Sequence, residues 1–372
     1  MRFQWKKAIV LSIAVTGLSK ISIAQEKPIN IVQTSVPFLT ISPDARSGGM
    51  ANTGIANTPD AFSTFWNNAK IPFSTSNGQI GLTYTPWLSD ITSDVYLLTL
   101  AGYYKPDESS AISGGVRYFN LGSIPLSLDG GDHAIDNGTA NPKEFSLEAG
   151  YSRKLSDKFG VGATFRYIHS NLGSGVIDGT EYKAGNAYAF DLSGYYNGLD
   201  ETGQGLTAGI TLSNLGTKIS YSSDADSKMF LPANFGIGGA YHAVLDDDNK
   251  LTFGLDVDHL MVPKLDTAQG LVDYYSTGVA SGWGKSFNNN AYAFSLGAEY
   301  GYDDMFFLRA GYHAETKSEG DMKYFTAGVG IKYNVLKFDF AYLAPSGSGV
   351  NRNPLSNTLR FSLTFDLGSQ NN

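Results

Sequence analysis

Five histidines, His133, His169, His242, His259 and His313, are the first residues to test for chemistry. They are scattered, with no metal-ligand spacing among them. His133 shares the stretch 129–136 with several acids, which reads as a solvated loop. Asp246-Asp247-Asp248-Asn249 resembles part of a calcium loop, but it lacks the glycine and the distal glutamate, and a tight turn accounts for it. Asp303 and Asp304 could offer paired carboxylates, yet adjacent residues on a turn point apart. Cysteine is absent, which excludes disulfides, thiolate metal sites and cysteine nucleophiles. No nucleophile elbow accompanies the many serines and aspartates, and the glycine-rich text around Gly328 lies inside a strand pattern. The expectation is a non-enzyme that needs no cofactor and no metal.

With chemistry set aside, the elements carry the reading. Glycine supplies 43 of 372 residues and aromatic residues 13%, while charged residues fall to 17% against about 25% in an average soluble chain. The net charge of −8 argues against nucleic acid as a partner. Residues 1–24 have the layout of a secretory signal peptide. Arg2, Lys6 and Lys7 form a basic start, a short apolar run follows, and Ser22-Ile23-Ala24 supplies small residues for cleavage before Gln25. Nothing after Ala24 is apolar for the ~20 residues that a membrane-spanning helix needs.

Period two runs through the rest. Near the C-terminus Leu359, Phe361, Leu363, Phe365 and Leu367 alternate with Arg360, Ser362, Thr364 and Asp366. Phe145, Leu147, Ala149 and Tyr151 alternate in the same way, as do Phe306, Leu308, Ala310 and Tyr312. One sheet face is therefore apolar, and the other carries isolated charges (Glu148, Arg166, Glu299, Arg309) that a water-filled lumen tolerates. A soluble sandwich or propeller also alternates, but no blade-length repeat is present, and many strands begin or end in aromatic residues, as an interfacial girdle requires. Trp87 is assigned to that girdle. A sheet in hydrocarbon must close on itself. The fold class is thus all-β, a closed antiparallel transmembrane barrel.

About fourteen strands are placed, near 78–87, 94–104, 110–121, 143–155, 159–169, 186–197, 204–222, 232–245, 250–260, 291–301, 305–314, 322–333, 337–343 and 356–367. Connections alternate between short and long, which matches periplasmic turns opposite outer loops and puts both termini on the periplasmic side. Arginine at position 363 is expected to be costly on the lipid face, and arginine at position 362 to be tolerated in the lumen.

Residues 25–77 lack sustained alternation. Pro43 with Asp44 suits a helix start, and small residues from Ala45 to Ala56 allow close packing in a confined space. The segment is either a periplasmic linker or a plug folded inside the barrel, and residues 78–372 form the barrel itself. The outer loop 261–290 holds Leu271, Tyr274, Tyr275 and Trp283 in a polar frame. These aromatics either meet a protein partner or fold down to cap the barrel mouth.

The run from Phe38 to Met50, the Asn67-Asn68-Ala69-Lys70 motif, Leu231-Pro232-Ala233-Asn234-Phe235 and the fourteen-strand plan together resemble the PorV family. Its members are outer-membrane components of the type IX secretion system of Bacteroidetes, within the wider FadL-like barrels. The resemblance implies an N-terminal hatch that includes Pro43, Asp44, Arg46, Asn67, Asn68 and Ala69. It also implies residence in outer-membrane lipid and three partners: the C-terminal domains of secreted cargo, an SprA-like translocon and a PorU-like sortase attachment complex. One departure stands out. The family has Asn-Pro-Ala where this chain has Asn67-Asn68-Ala69, which frees a fixed φ and restores a backbone donor. A rival expectation is a FadL-like transporter of hydrophobic small molecules, which needs an apolar pocket near the hatch and a lateral opening. A general porin is disfavoured by the plug.

Overall fold

The computed structural model describes residues 31–87, 94–129, 134–173, 175–177, 180–222, 228–264, 268–346 and 358–368. The expected signal peptide and His133 lie outside them. In chain order the strands are β1 (Gly78–Pro86), β2 (Val95–Tyr104), β3 (Ser110–Leu121), β4 (Ile124–Asp129), β5 (Ala134–Ala140), β6 (Lys143–Lys154), β7 (Phe159–Asn171), β8 (Gly175–Ile177) and β9 (Thr180–Tyr182). They continue as β10 (Gly185–Leu199), β11 (Gly205–Gly216), β12 (Asn234–Val244), β13 (Asn249–Leu260), β14 (Tyr292–Tyr302), β15 (Phe306–Glu315), β16 (Lys323–Tyr333), β17 (Leu336–Pro345) and β18 (Thr358–Asp366). All but two small hairpins, β4–β5 and β8–β9, join one closed barrel of fourteen antiparallel strands. Its seam is β1 on β18, paired from Gln79↔Asp366 to Tyr84↔Phe361.

Alternation decides which side chain meets which environment. Leu82, Leu255, Phe325, Leu363 and Phe365 stand exposed on the outer wall, while Thr83, Asp256, Thr326, Arg360 and Ser362 are buried inside. The fourteen expected strands are all present. One is shorter than expected: β11 stops at Gly216, not near 222. Opposite it the β10 register slips between Phe190 and Leu192. Asn214 takes φ 56° there, and its N–H donates to the Asp191 carboxylate at 2.7 Å. A side chain thus replaces a ladder carbonyl and the strand bends away.

One barrel end carries tight connections. At the turn after β14, Asp303 and Asp304 adopt φ 53° and 49°, the left-handed geometry that matches strand twist in a tight hairpin. Asp246 accepts from the N–H groups of Asp248 and Asn249 at 3.0 and 2.8 Å, which makes that acidic run a turn. The other end carries the two hairpins and a loop with helices α3 (Ala268–Ser276) and α4 (Val279–Lys285). The N-terminal segment is buried almost throughout from Ser42 to Asn57 and contains the short helices α1 (Ala45–Gly49) and α2 (Ser63–Trp66). Its two ends lie at opposite ends of the barrel. Asn77 donates to Gly368 at the short-turn end. Val32 donates to Ser318, and Ser35 to Phe230, at the long-loop end. The expectation of both termini on the short-turn side does not hold for residues 32–35, which lie at the long-loop end.

Candidate functional site

Lumenal side chains hold the N-terminal segment at several places. Asp44 caps α1, its carboxylate accepting from Ser47 N at 2.7 Å and from the Trp66 indole at 2.7 Å. Pro43 precedes the cap, as the sequence suggests. Ala45 N donates to Ser362 Oγ at 2.8 Å. The Arg46 guanidinium forks onto Glu299 at 2.9 and 3.2 Å and reaches Asp60 at 3.2 Å. Farther along, Asp256 accepts from both Gly54 N and Ile55 N, at 2.7 and 2.9 Å. Lys70, fully buried, donates to Gly54 O at 2.7 Å. The Gly54 peptide is thus gripped from both sides.

Asn67, Asn68 and Ala69 come together against β6, β7 and β10. Asn67 Oδ1 accepts from Ala69 N at 3.0 Å, and its amide donates to Gly194 O at 3.1 Å. Asn68 donates to Tyr151 O and Ala163 O at 3.1 Å each and accepts from Ser113 Oγ at 2.9 Å. The side chain ties three strands to the segment, which proline could not do. Asn68→Ala should loosen this end by about 1–3 kcal/mol, because buried partners lose their bonds. Faster trypsin cleavage after Lys70 in the folded protein would register the change, and an unaltered rate would contradict it.

The isolated charges expected to face water do not. Glu148 and Arg166 lie directly opposite in the β6–β7 ladder, as do Glu299 and Arg309 in β14–β15. Arg166 bonds Glu148 at 2.7 Å and Asp191 at 2.7 Å. Arg309 bonds Glu299 at 2.6 Å and forms an ion pair with Asp339 at 2.8 Å. All are buried or nearly so, because the N-terminal segment fills the space and burial demands pairing. Asp256, Lys70 and Ser362 were missed as site residues. A polar residue at an inward position of a strand is the signal that marks Asp256 and Ser362.

Glycine sets the fit. An added Cβ at Gly297 would stand 2.5 Å from Met50 O, and one at Gly311 would stand 2.6 Å from Met50 C. Segment backbone runs directly over strand backbone at both positions. Toward the short-turn end a vestibule of about 500 Å³ opens, lined by Arg46, Asp60, Phe73, Tyr195, Lys337 and Asp339 among others. Its lining mixes these charges with further apolar side chains, among them Phe62, Leu251, Phe307 and Leu336. Among the described residues no cluster of three or more His, Asp or Glu could hold a metal ion.

At the long-loop end, Val36, Phe38 and Leu39 pack with Trp87, Leu97, Phe119 and Ile168 in an apolar core inside the barrel. Trp87 meets Phe119 edge-on with ring centres 6.2 Å apart. It is buried there and not part of an outer girdle, which corrects the sequence expectation. Tyr274 is buried as well. Its ring packs edge-on against Phe230, its hydroxyl donates to Gln33 O at 2.8 Å, and Lys218 Nζ donates to its carbonyl at 2.7 Å. Tyr274 therefore caps the mouth. Tyr275 and Trp283 are half-buried; the side chain of Leu271 lies outside the described residues. Val272 and Phe287, 60% and 68% exposed, are large apolar side chains that the described part of this loop presents outward.

A titratable group sits at the same mouth. Burial, with Glu315 and Asp258 nearby, pushes the Glu319 carboxyl up to about 8. Its folded pKa exceeds its unfolded one, so its contribution is fully present below about 4.5 and is lost as pH rises through about 8. Hydrogen exchange at Val32 and 316–322 should accelerate over that window, and Glu319→Gln should flatten the response. A pH profile that Glu319→Gln leaves unchanged would exclude this assignment.

A family model described as Type IX secretion system protein PorV matches residues 23–267. No curated protein matches the chain. Among solved structures, the Ralstonia pickettii toluene transporter TbuX is similar, with a TM-score of 0.55 at 12% identity over 87% of this chain and 97% of that one. The CymD monoaromatic hydrocarbon channel gives 0.55 at 13% identity, covering 89% and 99%. The Pseudomonas putida toluene transporter TodX gives 0.53 at 13% identity, covering 86% and 96%. At such identities the likeness is one of fold.

Proposed function

The chain belongs to the PorV family of type IX secretion system proteins, and from that premise we propose that it is an outer-membrane barrel that receives secreted cargo at its outer face. Cargo would be recognised by its C-terminal domain as it leaves an SprA-like translocon and be passed to a PorU-like sortase attachment complex. The observation that carries this reading is the family match over 23–267, which includes the N-terminal segment and most of the wall. Residues 1–24 would be removed on export. The strands would span the membrane with Leu82, Leu255, Phe325 and Leu363 toward lipid. Residues 32–77 would act as a plug, and the protein would work by docking and not by catalysis. The ion pairs inside support a permanently filled lumen, which weighs against transport of hydrophobic small molecules through it.

Deletion of the gene tests the reading. Cargo should stay unprocessed and fail to reach the surface, while uptake of apolar nutrients is unchanged. Normal surface cargo with failed uptake would favour the transporter. Within the outer loop, Val272→Asp, Trp283→Ala and Phe287→Ala together should weaken capture of a purified cargo C-terminal domain about tenfold or more, since exposed aromatic and apolar anchors dominate such contacts. The barrel should keep its folded mobility on unheated gels. Undiminished capture would move recognition to another surface.

A further inference from the structure

We propose that the barrel closes around the N-terminal segment, and that the segment's packing draws the first and last strands together. Topology comes first. Asn77 is joined to β1 at the short-turn end, yet Val32 and Ser35 hydrogen-bond to Ser318 and Phe230 at the far end. If the barrel closed first, the segment would have to pass through the lumen from the short-turn side. Phe38, Arg46, Phe62, Phe65 and Trp66 would all make that passage. In its final place the segment leaves no slack, since Met50 lies on Gly297 and Gly311 at backbone distance, and threading would have to reach that fit one side chain after another inside a closed ring.

The seam supplies a second, independent observation. β1 pairs with β18 only from Gln79↔Asp366 to Tyr84↔Phe361, against Gly78↔Tyr104 to Pro86↔Tyr96 on its other side. The segment bridges this short seam. Ser362 on β18 accepts Ala45 N at 2.8 Å and bonds Thr83 on β1 at 2.7 Å. Phe62 lies so close to β1 that a Cβ on Gly81 would come within 2.6 Å of its ring, and Gly48 lies against the Arg360 side chain of β18. One stretch of chain thus touches both strands that must meet last. Placed first, it lowers the entropy cost of bringing together ends nearly three hundred residues apart.

The test uses the whole mature chain, unfolded in urea and refolded into detergent micelles. The chain has no cysteine, so Leu82→Cys with Leu363→Cys, facing partners on the outer wall, reports seam closure by timed oxidation. Phe62→Ala should slow seam trapping by about tenfold or more, whereas Asn68→Ala, which loosens the segment away from the seam, should leave it within about twofold. Equal rates for Phe62→Ala and the parent would overturn the seam role. A second arm fuses a folded domain wider than the lumen ahead of Gln25, with an unfolded tag as control. Enclosure leaves both fusions closed, with Arg46 and Lys70 resistant to trypsin. A folded-domain fusion that closes with those sites cut, or that fails to close when the tagged control succeeds, would overturn enclosure.

Discussion

Glu299→Leu is expected to cost the folded barrel about 3–5 kcal/mol, the range for removing one partner from a buried ionic group. The carboxylate accepts from Arg46 at 2.9 and 3.2 Å and from Arg309 at 2.6 Å, and Arg309 is itself fully buried. Leucine would leave two guanidinium groups facing each other, with Asp60 and Asp339 the remaining acids beside them. The readout is the urea midpoint at which fast gel mobility is lost, with an unchanged slope showing that only stability has moved. Pairing Glu299→Leu with Arg46→Met should cost less than the two changes summed, because the second removes a charge that the first strands. Strict additivity would mean that Arg46 and Glu299 are not coupled, and the anchoring of α1 would need another source.

The second large effect separates the two faces of one strand. Leu363→Arg should cost about 2–4 kcal/mol in a bilayer if the site lies near the midplane, since Leu363 is exposed on the outer wall. Its neighbour reverses the sequence expectation. Ser362 is buried, bonded to Thr83 across the seam and to Ala45 N, so Ser362→Arg should not be tolerated. The causes differ and so do the readouts. The Leu363→Arg penalty should shrink in detergent micelles, where the charged head reaches water. Ser362→Arg should remain harmful there and should expose Arg46 and Lys70 to trypsin. Equal medium dependence of both variants would contradict the facing assignment.

The wall could be read from sequence because a barrel strand writes its environment in period two, and Leu359 to Leu367 states it plainly. The pattern loses its meaning at strand ends. At Trp87, inward and outward aromatics look alike, since the lumen there is itself apolar and the usual polar alternation stops marking the inside. The N-terminal segment carried only local signals. Asp44 was readable as a cap, but no periodicity reports which end of a lumen a non-strand segment reaches, and Val32 lies at the opposite end from the expected one. Charges misled for a related reason. Glu148 and Glu299 look solvent-facing until their cross-strand arginines and the covering segment are known. In the outer loop, Tyr274 and Phe287 have similar composition and opposite exposure, a difference set by the Phe230 and Gln33 contacts that only the folded chain brings together.

The bare backbone at Gly297 and Gly311 beneath Met50 has a consequence for inheritance. Cast and mould are encoded some 250 residues apart, so neither can change shape alone. An N-terminal segment transplanted from a related barrel should jam unless the recipient's indentations travel with it, and the variation tolerated between relatives should be joint variation in these two distant stretches.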